Sequence, residues 1–330
     1  MTVIYYEQDG DITLLHGKSI AVIGYGNLGR PVALNLRDSG VAVIVGNQSD
    51  QYAEEARRES FEVFAIPEAV AQADIIYMAM PDEAMPSIYL SQIGPALKTG
   101  DLLLFASGYN IAFQFIEPPV FVDVGLIAPR TLASRLRQAY LSGEGYPTFI
   151  SLHHRATDWA TDRMLAMAMA VGALRQGALE TTFQQEVVLD LFWQQALLPA
   201  LHGLLLTAAQ ILIKEDYPPE AVLSELYLSG ELGEFFTQAA QQGLVQTLES
   251  MSLTGQYGLL SRTERFQESK VQYHMEAILD SIRSGAFASE WSSEFTDGYP
   301  RLKRLRDKLE ETALWQQEQI ALQVMRGDEI

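Results

Sequence analysis

The chain has 330 residues, 48% hydrophobic and 20% charged, so it is long enough for two domains with separate cores. Its net charge of -19 repels nucleic acid and anionic membrane surfaces, and neither is expected as a partner. It has no cysteine, which excludes disulfides, thiolate metal sites and a cysteine nucleophile.

The first residues, MTVIYYEQDGD, lack the basic start and apolar core of a secretion signal. KSIAVIGYGNLGRPVALNLRDSG (18–40) follows, with the apolar run Ile20 to Ile23 and then Gly24, Gly26 and Gly29 in G-x-G-x-x-G spacing. A helical pattern runs from there to Gly40. This order suits a strand, a tight turn and a helix whose N-terminus faces a pyrophosphate. The expected cofactor contacts are Gly24, Tyr25, Gly26, Asn27, Leu28 and Gly29. A glycine-rich turn without a ligand is the bland alternative.

Further strands follow at βαβ spacing: VAVIVG (41–46), ADIIYMAMP (73–81), DLLLFASG (101–108), VDVGLIAP (122–129) and TFISLHH (148–154). They predict a doubly wound parallel sheet, an α/β Rossmann domain over 1–181. Ligand chemistry gathers at the carboxyl ends of such strands, which marks Pro81, Asp82, Ser107, Gly108 and Arg130 as pocket-facing. Pro81 and Ser107 join the expected cofactor contacts. So do Asn47, Gln48, Ser49 and Asp50, which follow the second strand. That loop has no Arg or Lys, and Asp50 would repel a 2′-phosphate, so the cofactor is NADH or NADPH with a lean to NADH. Arg57 and Arg58 fit the exposed face of the next helix.

From Thr182 the pattern becomes helical, predicting an all-α domain over 182–330. ALLPALHGLLLTAAQILI (196–213) is about as long as a membrane span. It carries Pro199, His202 and Gln210 without an aromatic belt, and reads as a buried helix with His202 a satisfied core histidine. Residues 217–243, 268–287 and 302–325 are the clearest further helices, and the chain reads as cytoplasmic. Asp190 and Gln194 in ETTFQQEVVLDLFWQQ (180–195) share a helix face at i,i+4. His153 and His154, neighbours in a strand, point to opposite faces and are poor joint ligands.

Taken in order, YYEQDGDITLLHGKSIAVIGYGNLG, MPDE (80–83), FASGYNI (105–111), GLIAPR (125–130), ETTF, DLFWQQ (190–195), YPPE (217–220), SLTGQYG (252–258) and GAFASEW (285–291) resemble ketol-acid reductoisomerases of the short bacterial type. The resemblance covers almost the whole chain. It implies a Rossmann domain, then a knotted all-α domain, in a homodimer or larger assembly. It also implies NAD(P)H and two Mg²⁺ ions that support alkyl migration in an acetohydroxy acid before reduction.

The carry-over is uneven. Asp190 matches the first metal carboxylate of the family's D-L-F-G-E, with Glu186 one turn before it, but Gln194 replaces the second. Trp193 replaces a glycine, which suggests a drier, fuller cavity. Glu225 matches the later E-x-x-x-E, and either Ser229 or, with two residues inserted, Glu231 stands at its partner position. Residues i and i+6 of a regular helix diverge, so Glu231 would need a bulge. Both glutamates are otherwise plain surface charges. The family's A-H-G-F-N has become Ala106-Ser107-Gly108-Tyr109-Asn110, and its A-P-K has become Ala128-Pro129-Arg130, while Ser252 is retained.

Three functions follow. The first is an NAD(P)H-dependent reductase of a small 2-oxo or imino acid, with Mg²⁺ weak or absent. Asp190, Arg130, Glu225 and Ser252 are its catalytic candidates. Arg130 would hold a substrate carboxylate bidentately, and Asp190, buried among Val188, Leu191 and Trp193, would donate a proton. The second is a reductoisomerase, converting 2-acetolactate to 2,3-dihydroxyisovalerate, with a weakened metal site at Asp190 and Glu225. The third is a non-catalytic dinucleotide-binding paralogue.

Overall fold

The computed structural model describes residues 2–266 and 269–326; Glu268, the start of one expected helix, lies outside them. The chain divides into two compact units, 1–190 and 191–330.

The first unit is built on a nine-stranded sheet in the order β1-β9-β8-β7-β6-β5-β2-β3-β4. Its strands are β1 (Ile4–Tyr5), β2 (Ser19–Ile23), β3 (Ala42–Gly46), β4 (Glu62–Phe64), β5 (Ile75–Met78), β6 (Leu102–Phe105), β7 (Asp123–Pro129), β8 (Thr148–His154) and β9 (Ala178–Glu180). From β4 to β7 every neighbouring pair is parallel. The expectation of an all-parallel sheet fails beyond β7. There β8 runs antiparallel to β7, and β1 antiparallel to β9. An antiparallel neighbour needs no crossover back to the same sheet end, and TFISLHH has the same apolar pattern in either direction.

The strands are apolar because both faces of the sheet are covered. Ile20, Val22, Ile75, Tyr77, Leu102 and Leu104 enter one core cluster. Their neighbours Ala21, Ile23, Ile76, Met78, Leu103 and Phe105 enter the other, the two-residue period of a strand. The chain winds outward through β3 and β4 on one side of β2 and through β5, β6 and β7 on the other. The order reverses between β2 and β5, so the ligand crevice lies outside their carboxyl ends.

Three helices lie on the β2–β5 half: α1 (Gly29–Asp38), α2 (Gln51–Arg58) and α3 (Ile66–Gln72). Gly29 sits where α1 meets the turn after β2. A Cβ there would lie 1.9 Å from the Gly24 carbonyl oxygen. At Gly26, by contrast, a Cβ would meet no atom within 4 Å. It would stand in the open cradle before the helix N-terminus.

The second unit is helical, with a small core of Ala209, Val222, Leu223 and Ala321. The division falls after Asp190, inside the 32-residue helical run Phe183–Lys214. That run is α-helical to Phe192, π-helical over Trp193–Leu197 and α-helical again over Leu198–Lys214. By length and composition it could cross a bilayer. It is not the buried helix that its sequence suggested. Leu204 and Ile211 are each 58% exposed, and His202 is exposed rather than core. Apolar character alone does not say what covers a helix. The expected helix 217–243 is broken at Gly230, whose φ is +86°. The expected helix 302–325 is two, Pro300–Glu310 and Ala313–Arg326.

Replacing Gly29 by Ala is expected to cost about 2 kcal/mol or more in stability, because strand and helix must separate. Gly26→Ala should leave thermal unfolding unchanged while weakening NADH binding. Calorimetric unfolding and NADH titration of both variants check the pair.

Candidate functional site

The dinucleotide loop is held by its own backbone. Gly24 N donates to Gly46 O at 2.9 Å, and Ala79 N donates to Ile23 O at 2.9 Å. Asn47 links the turns after β2 and β3, its Oδ1 accepting from Tyr25 N at 3.2 Å. Asp50 caps α2: its Oδ1 accepts from Tyr52 N at 2.9 Å and Ala53 N at 3.1 Å, and from Asn47 Nδ2 at 2.8 Å. Gln48 Nε2 takes the other oxygen at 3.1 Å. The acid expected for the ribose is therefore engaged as a cap, while Asn27, Gln48 and Ser49 are exposed on the loops. Leu28 precedes α1 as its cap residue.

Arg30 and Arg57 beside this loop are matched by acids, whereas the exposed Arg58 reaches the Glu54 backbone oxygen at 3.4 Å. Arg30 pairs with Glu55 at 3.1 Å and grips Glu59 through two nitrogens. Glu59 also accepts from the Tyr25 hydroxyl. The Arg30 hydrogen bond holds the Glu59 carboxyl below the usual range, against its burial. Burial and the Glu59 bond push the Tyr25 hydroxyl up. Arg57 pairs with Glu54 at 2.8 Å on the exposed face of α2, where the sequence put it.

A second cluster lies at the ends of β5, β6 and β7. Arg130 follows β7. Its Nη2 donates to Glu186 Oε1 at 2.9 Å and its Nη1 to Asp190 Oδ1 at 3.0 Å. The guanidinium also lies over the Phe149 ring, 5.2 Å from its centre. Glu186 is only 1% exposed, and its Oε2 accepts from Gly108 N at 2.7 Å. Burial raises its pKa; Arg130 and the Gly108 N–H oppose that shift. The sequence placed Glu186 one turn before Asp190 but gave it no partner.

Beside this ion cluster, Ser107 Oγ and Asp82 Oδ2 are 3.2 Å apart. Asn110 Nδ2 donates to the Asp82 backbone oxygen at 3.0 Å and to its Oδ1 at 3.3 Å. Burial is the main cause pushing Asp82 up to about 7. The Ser107 bond opposes it, and Glu186, Glu83 and Asp190 add repulsion. The Tyr109 hydroxyl and Asn110 Oδ1 are buried there without a hydrogen-bond partner. Pro81 is exposed at the mouth of the same turn.

Several expectations change. Asp190 is not a carboxyl buried among apolar groups: its side chain is 37% exposed and ion-paired with Arg130. Both terminal nitrogens of Arg130 are engaged, so bidentate capture of a substrate carboxylate requires displacing Asp190. Trp193 is 46% exposed and does not fill a cavity within its own unit.

In the second unit the remaining candidates are exposed: Gln194, Glu225, Ser229, Glu231 and Ser252. Gln194 lies in the π-helical Trp193–Leu197 and Glu225 in the π-helical Ser224–Leu228. Glu231 opens a new helix after Gly230, so both the π-helical turn Ser224–Leu228 and a helix break lie between it and Glu225. Ser252 caps the helix Leu253–Leu260, its Oγ accepting from Gly255 N at 3.1 Å. Among the described residues no group of three or more His, Asp or Glu side chains is placed to hold a metal. Asp190, which matches the first carboxylate of the D-L-F-G-E pair, faces a guanidinium, so the charge that a dication would need there is already offset by an internal cation. The dinucleotide loop, with its open cradle at Gly26, does fit its ligand.

Residues 14–177 match the family model described as acetohydroxy acid isomeroreductase, NADPH-binding domain. Residues 183–326 match ketol-acid reductoisomerase, C-terminal domain. The chain is 38% identical over 312 residues to a ketol-acid reductoisomerase (NADP(+)) of Methanopyrus kandleri, covering 94% of each. It is 39% identical over 301 residues to a putative ketol-acid reductoisomerase 3 of Saccharolobus solfataricus, covering 90% of each. Among solved structures, an NADH-preferring ketol-acid reductoisomerase from an uncultured archean matches with a TM-score of 0.92 and 34% identity over 98% of both chains. A semialdehyde dehydrogenase NAD-binding protein from Cupriavidus necator, at 19% identity and a TM-score of 0.61 over 81% of this chain and 99% of its own, shares the fold alone. The chain belongs to the ketol-acid reductoisomerase family, as an NAD(P)H-dependent oxidoreductase with a Rossmann unit followed by a helical one.

Proposed function

We propose that this chain reduces a small 2-oxo or imino acid with a nicotinamide dinucleotide, NADH in preference to NADPH, and does not carry out the two-Mg²⁺ alkyl migration. The observation that carries this reading is the Arg130 guanidinium lying between Glu186 and Asp190. Two dications need carboxylates to offset their charge, and here an internal cation already does so. A dication about 4 Å from the guanidinium would be repelled by roughly 8 kcal/mol at an effective dielectric of about 20, before any compensation. Gln194, a neutral side chain where the family has a carboxylate, lowers the available charge further, whichever of Ser229 and Glu231 stands at the last ligand position. The lean to NADH is supported by the pairing of Arg30 and Arg57 with acids and by Asp50 beside the loop.

Bound at this loop, a reduced nicotinamide supplies a hydride to the substrate carbon. A substrate carboxylate enters by exchanging with the half-exposed Asp190 on Arg130 Nη1, while buried Glu186 stays on Nη2. That holds the acid without freeing a buried charge.

A second reading, a genuine reductoisomerase, is favoured by the names of the relatives. It needs the remaining carboxylates, Asp190 and Glu225 among them, to hold Mg²⁺ in spite of the Arg130 charge.

The exposed apolar residues of the long helix, Leu204 and Ile211 among them, support a homodimer or larger homo-oligomer that covers them.

NADH titration is expected to give the same dissociation constant with Mg²⁺ and with EDTA, and NADPH to bind at least tenfold more weakly; stoichiometric Mg²⁺ uptake would favour the reductoisomerase. In Arg130→Met the Glu186 and Asp190 charges lose their partner, so millimolar Mg²⁺ should raise the unfolding temperature of the variant but not of the native protein. By sedimentation velocity the native chain should run as a dimer or larger, and Leu204→Asp combined with Ile211→Asp should shift it towards monomer.

A further inference from the structure

A reductase needs a proton as well as a hydride, and the two carboxylates next to Arg130 are poorly placed to give one. Both Glu186 oxygens accept hydrogen bonds from positive or N–H donors, so neither is left to pass a proton on, although burial raises its pKa. Asp190 is held by the guanidinium. At the residue where the family carries a histidine, a group able to titrate alone, this chain has Ser107. A hydroxyl needs a second group behind it.

Asp82 is that second group. It follows Pro81 in the turn after β5, and Ser107 follows β6, so the two sit on adjacent strands beside the switch point of the sheet. Asn110 fixes Asp82 by its backbone oxygen and its Oδ1, leaving Oδ2 to Ser107 at 3.2 Å. Ser107 Oγ also accepts from Tyr109 N at 3.2 Å. When Asp82 is protonated and donates to Oγ, both lone pairs of the serine oxygen are filled. The serine proton must then point to a third partner.

We propose that Ser107, backed by Asp82, is the acid of the reductive step: the Ser107 hydroxyl protonates the substrate oxygen and Asp82 reprotonates Ser107. This rests on the reductase reading above. The substrate carbon gains the electron pair of the hydride and its C=O π bond opens onto oxygen. The Ser107 O–H bond breaks as the new O–H bond forms there. The Asp82 O–H bond breaks as the Ser107 O–H is restored, and water returns the proton to Asp82. Ser107 is the catalytic residue and Asp82 a positioning residue that stores its proton. The groups acting on Asp82 are Ser107 and Asn110 by hydrogen bonds and the anions Glu83, Glu186 and Asp190. A carboxyl near 7 is half protonated where the enzyme works, which suits a general acid.

The test follows the pH dependence of NADH oxidation with 3-hydroxy-3-methyl-2-oxobutanoate, together with infrared difference titration of the carboxylic acid band. Native kcat should fall about tenfold between pH 6 and pH 8. Asp82→Asn should lose about a hundredfold at pH 6 and lose that pH limb, Ser107→Ala should fall as far, and Ser107→Thr should recover most of the rate. An acid carbonyl band that titrates near neutrality in the native protein should be missing from Asp82→Asn. A native pH limb retained in Asp82→Asn, a native rate in Ser107→Ala, or no such band at pH 6 would overturn the proposal and leave the reductase intact. No turnover by the native protein would overturn the reductase reading and this proposal together.

Discussion

The substrate side of this protein depends on one buried charge. Glu186 is almost fully enclosed, and a carboxylate in that position must be paired or neutralised. It is met by Arg130 from the end of β7 and by the Gly108 amide from the turn after β6. A single carboxylate therefore ties two strand ends to the helix Phe183–Phe192. Arg130 has a second nitrogen to offer, and it goes to Asp190. The residue that matches the family's first D-L-F-G-E carboxylate thus belongs to an ion pair centred on arginine. A lysine could not reach both acids as a planar fork does.

The dinucleotide side obeys a different constraint and has not changed in the same way. The close approach of Gly29 to Gly24 and the Gly24–Gly46 backbone bond set the turn whatever the substrate. The acids near the loop are used structurally: Asp50 caps a helix and Glu59 gathers Tyr25 and Arg30. Within the first unit the departures from family pattern, Ser107 and Arg130, fall after β6 and β7.

Local features were legible in the sequence. The β2–turn–α1 unit was readable because glycine spacing and periodicity are short-range. Asp82 and Ser107 were marked as pocket-facing by their place after strands. What was missed depends on contacts distant in sequence. The Arg130–Glu186 pair spans 56 residues, and no spacing rule joins them. The direction of β8 leaves no trace in its apolar pattern. The π-helical turns at Trp193–Leu197 and Ser224–Leu228 have ordinary helical composition, so nothing local in the sequence marks them. The long apolar helix was read as buried because its sequence reports hydrophobicity but not the surface that covers it.

The most direct measurement gives the protein 2-acetolactate and its rearranged isomer, 3-hydroxy-3-methyl-2-oxobutanoate, side by side with NADH, in Mg²⁺ and in EDTA. A reductase whose metal site is filled by its own arginine oxidises NADH with the rearranged 2-oxo acid equally in both, and leaves acetolactate untouched. Mg²⁺-dependent consumption of acetolactate would contradict this, and would mean that Arg130 gives way to metal when substrate binds.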